Sequence, residues 1–203
     1  MLFRSPMILP DGRVESCGNF HGAPVGMAAD FMAIAISELC AIAERRTDRM
    51  LDKARSHGLP PFLAPDAGVN SGLMIAHYTQ AAMAMEAQRL AVPASTQSLP
   101  TSAMQEDHVS NGWAAARKLR RSVDTLRRVL AVEIMCAAAA IDLRAPLQPG
   151  AATGAALRVL RSTVQGPGPD RWLSPDLRAA EELIADGSLL AAVEASIGTL
   201  EVL

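Results

Sequence analysis

The chain has 203 residues, half of them hydrophobic, so it can bury a sizeable core and is not a disordered polyelectrolyte. Its 19 basic and 21 acidic residues give a net charge of -2, which offers no electrostatic reason to expect nucleic acid or an anionic membrane as a partner. Three widely spaced cysteines argue against a disulfide framework, and the short apolar N-terminal stretch is broken by prolines, so we expect a soluble cytoplasmic protein.

The N-terminal segment, residues 1–23, is expected to be irregular apart from a short hairpin around Asp11-Gly12. Pro24 suits the first turn of a helix, and the sequence after it predicts one long helix over residues 25 to about 52. The first part of this helix is apolar on nearly all sides and is expected to be buried. Residues 44–49 are charged and are expected to reach solvent or a subunit boundary.

Prolines at residues 60–65 break the helical pattern, and Ser71 is then expected to cap a second helix over residues 72 to about 90. Residues 91–103 are rich in proline, serine and threonine and predict a loop, whose length suggests a functional role. From Asp107 onward, apolar residues recur at steps of three and four, which predicts a helix of roughly nine or ten turns. We expect such a long helix to pack against partner helices, including those of other subunits.

Shorter helices are predicted over residues 152–163, 174–185 and 188–195. The aromatic content is only 3% and alanine, leucine and methionine are abundant, which favours closely packed helices. The predicted fold is therefore all-α, a bundle of long helices. We divide the chain into an irregular segment (1–23), a long-helix bundle core (24–145) and a C-terminal region of short helices (146–203).

Five stretches of the sequence are distinctive. They are Gly18-Asn19-Phe20-His21-Gly22-Ala23-Pro24, ERRTDR at 44–49, GLPPFL at 58–63, NSGLMIA at 70–76 and PTSAMQEDHVS at 100–110. Together they resemble the histidine ammonia-lyases, and the QEDHVS string resembles this branch rather than the phenylalanine or tyrosine lyases. The resemblance implies the C-terminal part of an all-helical homotetramer that converts L-histidine into urocanate and ammonia at sites shared between subunits.

The electrophile of the family that this sequence resembles is a methylidene-imidazolone ring (MIO), formed when an internal Ala-Ser-Gly triplet cyclises and loses water. This chain contains no Ala-Ser-Gly. The resemblance therefore implies that the triplet lies in an N-terminal half outside this chain, and that the chain alone forms no cofactor and is inactive. Asn70-Ser71-Gly72 matches a helix start in the family, so capping is the preferred interpretation there.

Loss of ammonia from histidine requires an electrophile and a positioned base. By resemblance, Glu106 matches the essential catalytic glutamate, which holds the substrate imidazole by a charge-assisted hydrogen bond or assists proton transfer. Without the motif, an acid favoured near a helix N-terminus would be the simpler interpretation. Phe20 matches a phenylalanine beside the cofactor ring and Met74 a methionine near the imidazole. Asn19 and Gln105 are further candidates for orienting the substrate by hydrogen bonds.

No metal site is predicted, because the four histidines lack the spacing of metal ligands and structural roles are favoured for each. The basic residues between 117 and 128 alternate with an apolar stripe and are interpreted as a solvated or intersubunit face rather than an RNA site. Glu133 is expected to pair with an arginine across the bundle. Two positions depart from the family pattern: Met104, where asparagine is common, and His77, where glutamine is frequent.

Two other functions fit the same pattern. The chain could be a non-catalytic helical assembly subunit that pairs with a separate N-terminal half or only oligomerises. It could also belong to a related lyase or aminomutase that acts on another aromatic amino acid.

Overall fold

A computed structural model describes residues 5–18 and 20–201, and these residues are mainly helical. Two strands, β1 (Ser5–Ile8) and β2 (Val14–Cys17), form an antiparallel hairpin in which Ser5 pairs with Cys17 and Ile8 with Val14. The hairpin predicted around Asp11-Gly12 is confirmed. Gly12 has φ +82°, a left-handed conformation that suits glycine at the turn.

Six α-helices and one 3₁₀ turn are seen in the described part of the chain. They are α1 (Ala23–Leu51), the 3₁₀ turn Pro61–Leu63, α2 (Met74–Leu90), α3 (Gly112–Asp142), α4 (Ala151–Arg161), α5 (Ser174–Ala185) and α6 (Ser188–Ile197). The predicted all-α class is confirmed, and the three C-terminal helices lie where they were expected.

Helices α2 and α3 both begin later in the sequence than predicted. Gly72 has φ +56°, so α2 begins at Met74, and the N–H groups of Ser71 and Gly72 donate to the Asp170 carboxylate (2.7 and 2.8 Å). Helix α3 begins at Gly112, because the backbone of Val109 is bound to the Ser98 hydroxyl and is not available to a helix. The long helix therefore has 31 residues, slightly fewer turns than predicted.

The chain divides into two compact units. Unit 1 comprises residues 1–37 and 87–123, and unit 2 comprises residues 38–86 and 124–203. In unit 1, α1 and α3 approach closely near their N-termini: a Cβ on Gly26 would lie 3.1 Å from the Cα of Gly112. Glycine at both positions permits this contact.

The core of unit 2 forms on two faces of α3. One face packs Val132 and Cys136 against Leu51 and Leu63. The other packs Met135 against Leu160 of α4 and its neighbours. Several alanines of α3, at residues 131 and 138–140 in this unit, are buried and allow neighbouring helices to approach closely.

Helix α1 differs from expectation in its burial. Phe31 is 73% exposed and Leu39 53% exposed, although this part of the helix was expected to be buried. The segment 44–49 was expected to reach solvent or a subunit boundary; its three arginines are exposed, whereas Glu44 and Thr47 are buried. The Glu44 carboxylate is bound by Arg45 (2.6 Å) and by Nε2 of His77 (2.6 Å). The hydrogen bond from Arg45 lowers the pKa of Glu44, burial opposes this, and His77 adds to the lowering.

By length and composition, α1 is the one described helix that could cross a membrane. The same helix carries the buried acids Asp30 and Glu44, each with polar partners inside the protein. Its exposed apolar side chains form a face, called here the α1 face, that no described residue covers. These residues are Val25, Met27, Phe31, Met32, Ile34, Leu39 and Ile42.

The expected arginine partner of Glu133 is Arg46 of α1, whose guanidinium donates to both carboxylate oxygens, at 2.9 Å for the Nη2–Oε2 pair. This prediction is confirmed. The expectation that the basic residues of α3 all face outward is wrong for Lys118. Its side chain is only 13% exposed and pairs with Asp30.

Candidate active site

The loop that joins α2 to α3, residues 91–111, is tied down at its start by a buried ion pair. Asp30 accepts hydrogen bonds from the N–H groups of Ala94 (2.9 Å) and Ser95 (2.7 Å). Lys118 of α3 contacts the same carboxylate and donates to the carbonyl of Val92. Burial raises the pKa of Asp30, but hydrogen bonds from Lys118 and Ser95 outweigh it and hold the pKa below its ordinary value.

The far end of the loop is closed by side-chain to backbone bonds. The Ser98 hydroxyl donates to the carbonyl of Val109 (3.0 Å) and accepts from its N–H (2.8 Å). The Asn111 side chain donates to the carbonyl of Gln97. These bonds bring residues 97–98 beside residues 109–111, so the segment between them projects as a compact turn.

The tip of this turn carries Glu106. Thr101 and Glu106 exchange both backbone hydrogen bonds (3.0 and 3.1 Å). Between them, Ser102, Ala103 and Met104 all have positive φ values of 53–69°. Three consecutive non-glycine residues in this region are uncommon and are a feature of functional loops. The conformation of the turn therefore determines the directions in which the side chains of residues 105 and 106 extend.

Glu106 is half-buried as a residue, and its carboxylate has no ion pair or side-chain hydrogen bond with the residues that the structure describes. Acidic groups packed into a protein are normally paired. A half-buried acid without a partner, on a loop tied at both ends, is therefore placed to receive a cationic or N–H donor group from outside this chain.

The segment around Phe20 meets this loop through two histidines. The rings of His21 and His108 are stacked, with centroids 5.1 Å apart and an interplanar angle of 15°. Nε2 of His21 lies 3.0 Å from the carbonyl oxygen of His108. Phe20 packs edge-on against His21 at 6.3 Å and is 47% exposed. Unit 1 thus links the segments that carry Phe20 and Glu106.

Close backbone packing supports this link. A Cβ on Gly112 would lie 2.8 Å from the carbonyl oxygen of Gly22, and one on Gly22 would lie 2.9 Å from the Ser110 hydroxyl. The Ser110 hydroxyl also accepts the N–H of Gly112 at the start of α3 (3.1 Å). The two motifs are therefore in direct contact, although more than 80 residues separate them in sequence, as in the His21–His108 bond.

The other candidate residues lie as follows. Gln105 is exposed at the loop tip, where its N–H donates to the carbonyl of Ser102 (3.0 Å). Met74 is the first residue of α2 in unit 2 and is half-buried. Asn19 lies outside the described residues. The roles of all five candidates remain predictions from the resemblance.

Sequence reasoning missed the Asp30–Lys118 pair and the contact between His21 and His108. The signal for the first was present, since Asp30 is a single acid in an apolar stretch of α1. No local pattern identifies the second, because its partners are brought together only by the fold.

Unit 2 contains an open cleft of about 440 Å³ beside α1 and α3. It is lined partly by arginines, but Arg46 is bound to Glu133, Arg55 to Asp48, and Arg144 to the carbonyl of Ser56. These three positive charges are already engaged within the chain.

Comparison with known proteins agrees with the family resemblance of the sequence motifs. The aromatic amino acid lyase family model matches residues 4–162. The chain is 62% identical to histidine ammonia-lyases of Streptomyces avermitilis and Streptomyces coelicolor, over 97% of this chain and 38% of each relative. It is 49% identical to that of Gloeobacter violaceus, again over 97% of the chain and 38% of the relative. The chain therefore spans about two fifths of the length of the curated relatives it matches.

Solved structures show the same fold. The histidine ammonia-lyase of Trypanosoma cruzi superposes with a TM-score of 0.90 at 38% identity, covering 95% of this chain and 38% of that one. The tyrosine aminomutase of Streptomyces globisporus gives a TM-score of 0.88 at 34% identity, covering 93% and 36%.

Proposed function

Since the chain belongs to the aromatic amino acid lyase family, we propose that it supplies the C-terminal part of a histidine ammonia-lyase, which when complete converts L-histidine into urocanate and ammonia. The observation that carries the proposal is the carboxylate of Glu106, which has no partner among the described residues and is held on a loop that is anchored at both ends. The high identity to histidine ammonia-lyases over nearly the whole chain supports the choice of substrate.

Glu106 binds and orients the substrate in this proposal. A carboxylate without an internal partner can accept the N–H of an imidazole, and this charge-assisted bond is stronger than a neutral one. This hydrogen bond orients the imidazole of the substrate and thereby fixes the position of the side-chain carbon that loses its proton. By the resemblance, Gln105 and Asn19 are further candidates for hydrogen bonds to an amino acid substrate, and Met74, whose thioether is polarisable, is a candidate for contact with an imidazole.

An MIO ring, which supplies the electrophile that activates the substrate for loss of ammonia, would come from an Ala-Ser-Gly triplet outside this chain. The residues present fit such a group as a wall of its site. Phe20 is about half exposed and its ring is steeply inclined to that of His21, so part of its aromatic surface is available to another group. This chain would bind and orient the substrate, and would exclude water on the Phe20 side.

The α1 face supports assembly into a homotetramer. Large apolar side chains exposed side by side on one helix are typical of surfaces that other helices cover. We propose that the remaining part of the protein and neighbouring subunits cover it. Neither nucleic acid nor membrane is a partner in this proposal, and the protein is cytoplasmic, in keeping with the buried free thiols of Cys40 and Cys136.

A hybrid enzyme tests the proposal. In it, this chain replaces the matching 38% of the Streptomyces avermitilis relative, which supplies the remainder. The hybrid is expected to produce urocanate from L-histidine, followed by ultraviolet absorbance, and Glu106→Gln is expected to lower kcat/KM at least about 100-fold. Glu181→Gln, which alters an acid on α5 paired with Arg128, is the matched control and should retain activity.

Two results would contradict the proposal. One is urocanate production by this chain alone, because the chain lacks the cofactor triplet. The other is a folded hybrid that shows no activity with L-histidine. The similarity to a tyrosine aminomutase makes L-tyrosine and L-phenylalanine necessary comparison substrates, and a hybrid that prefers either would indicate a related lyase or aminomutase. A hybrid that assembles but acts on none of them would favour a non-catalytic assembly subunit.

A further inference from the structure

We propose that His21 is a positioning residue for Glu106: it holds the loop that carries this acid in the orientation that the substrate requires. The inference rests on the proposed function, in which Glu106 contacts the substrate. It assigns to His21 a role that acts through another residue and involves no contact with the substrate.

Both ring nitrogens of His21 have a backbone partner. Its Nδ1 accepts the N–H of Ala23 (3.3 Å), and a backbone N–H can only donate. Its Nε2 lies 3.0 Å from the carbonyl oxygen of His108, which can only accept. Through these two nitrogens the ring joins the first residue of α1 to the backbone of the loop.

The hydrogen bond between His21 and His108 lies close enough to Glu106 along the loop to affect the position of this residue. The backbone of Glu106 is bound to Thr101 on one side. His108, only two residues further on, is bound to His21 through its carbonyl and stacked on it through its ring. These two attachments bracket residue 106, so loss of the His21 bond frees one side of the turn.

Loss of His21 should loosen the tip without detaching the loop. Ser98 still binds Val109, and Asp30 still binds the N–H groups of Ala94 and Ser95. The expected effect is a displacement of the Glu106 carboxylate and not unfolding. A displacement of about 1 Å at a catalytic site can lower the rate about 100-fold.

The test compares two substitutions in the hybrid enzyme. His21→Phe keeps an aromatic ring for stacking but removes both hydrogen bonds, and is expected to lower kcat/KM for L-histidine about 10- to 100-fold. His21→Gln can place an N–H donor near the position of Nε2 and so keep the bond to the His108 carbonyl, although it loses the acceptor for the Ala23 N–H, and it should stay within about threefold of the parent. If H21F is not recovered folded, His21→Asn, whose shorter amide does not reach the His108 carbonyl, takes its place.

A double substitution separates positioning from a merely structural role. If His21 acts through Glu106, adding His21→Phe to Glu106→Gln should lower the remaining activity less than about twofold. A general structural role would lower it as much as in the parent. An equal loss in both backgrounds, or H21F activity equal to that of the parent, would overturn the proposal.

Amide hydrogen exchange gives a readout that does not need activity. In H21F, but not in H21Q, the hydrogen-bonded amides of Thr101, Gln105 and Glu106 should exchange about tenfold faster than in the parent, while those of Val109 and α3 stay unchanged. Unaltered exchange in H21F would overturn the positioning role whether or not the hybrid is active. An inactive parent hybrid would count against the proposed function alone, and the exchange data would still decide the role of His21.

Discussion

Replacing Asp30 with asparagine removes a buried charge at nearly constant size, and we expect it to loosen the start of the Glu106 loop. The Asp30 side chain is 4% exposed and pairs with Lys118, which is 13% exposed. Neutralising one partner of a buried pair destabilises by about 3–5 kcal/mol, because the other charge stays buried without a counter-charge. The amide oxygen of asparagine can still accept from the loop, so we expect the lower figure, about 3 kcal/mol.

Local exchange of the loop amides measures this effect better than global melting, since an assembled enzyme does not unfold in two states. A change of about 3 kcal/mol corresponds to an opening equilibrium about 100-fold larger. The amides of Ala94 and Ser95 in the hybrid should exchange faster by about that factor. Asp124→Asn makes the same chemical change at an exposed i,i+3 pair with Arg127 and should alter exchange less than about threefold.

A double-mutant cycle with Lys118→Met completes this test. In Asp30→Asn/Lys118→Met neither charge is left unpaired, so the double variant should be more stable locally than the sum of the two single effects by at least about 2 kcal/mol. Simple additivity would refute the reasoning, as would unchanged exchange of Ala94 and Ser95 in the single variant.

Three further predictions concern unit 2 and the cysteines. Gly72→Ala should lower the Tm of the hybrid by several degrees, since its Cβ would lie 2.5 Å from the carbonyl oxygen of Phe62 in a backbone with φ +56°; an unchanged Tm would contradict the geometry. The N–H groups of Ser71 and Gly72 lower the pKa of Asp170 from its ordinary 3.8, so its contribution to stability is complete above that value and is lost as pH falls through the lower folded value. Tm should therefore fall more steeply below about pH 4 in the parent than in Asp170→Asn. The same decrease of Tm in both proteins would argue against a stabilising role for the hydrogen bonds to Asp170. Burial raises the pKa of the Cys40 thiol to about 11 and that of Cys136 to about 12, so iodoacetamide should modify neither at neutral pH until the chain is unfolded, as mass spectrometry would show; rapid labelling of the native protein would place these thiols at the surface.

Much of the fold follows from sequence because its signals are local. Apolar residues spaced three and four positions apart identify α3, and Pro24 marks the start of α1 to within a residue or two. Errors arose where a tertiary contact overrides the local pattern. Ser98 holds Val109 out of α3, and Gly72 is left-handed because it packs against residues 62–64.

The burial of α1 could not be predicted for a different reason. An apolar helix surface indicates that something covers it, but not whether the cover belongs to the same chain. Phe31 and Leu39 are exposed here, whereas Asp30 on the same helix is buried by Lys118, more than eighty residues away.

For the candidate site, the motifs identified which loops matter, and the structure added how they are held. The QEDHVS string led to Glu106, and the resemblance supplied its expected role. The left-handed backbone at Met104, the stacked histidines and the buried Asp30 depend on the three-dimensional path of the loop, which no spacing of residues in the sequence encodes.

The contact between Gly22 and Gly112 restricts how the two motifs that it joins can shift relative to each other. A methyl group on Gly112 would collide with a main-chain carbonyl, which cannot swing aside as a flexible side chain can. A single substitution at this contact is therefore not expected to move one motif relative to the other without a steric clash. Under the proposed function, a change of substrate is therefore expected from substitutions at exposed positions of the turn, such as Met104 and Gln105, which leave this contact unchanged.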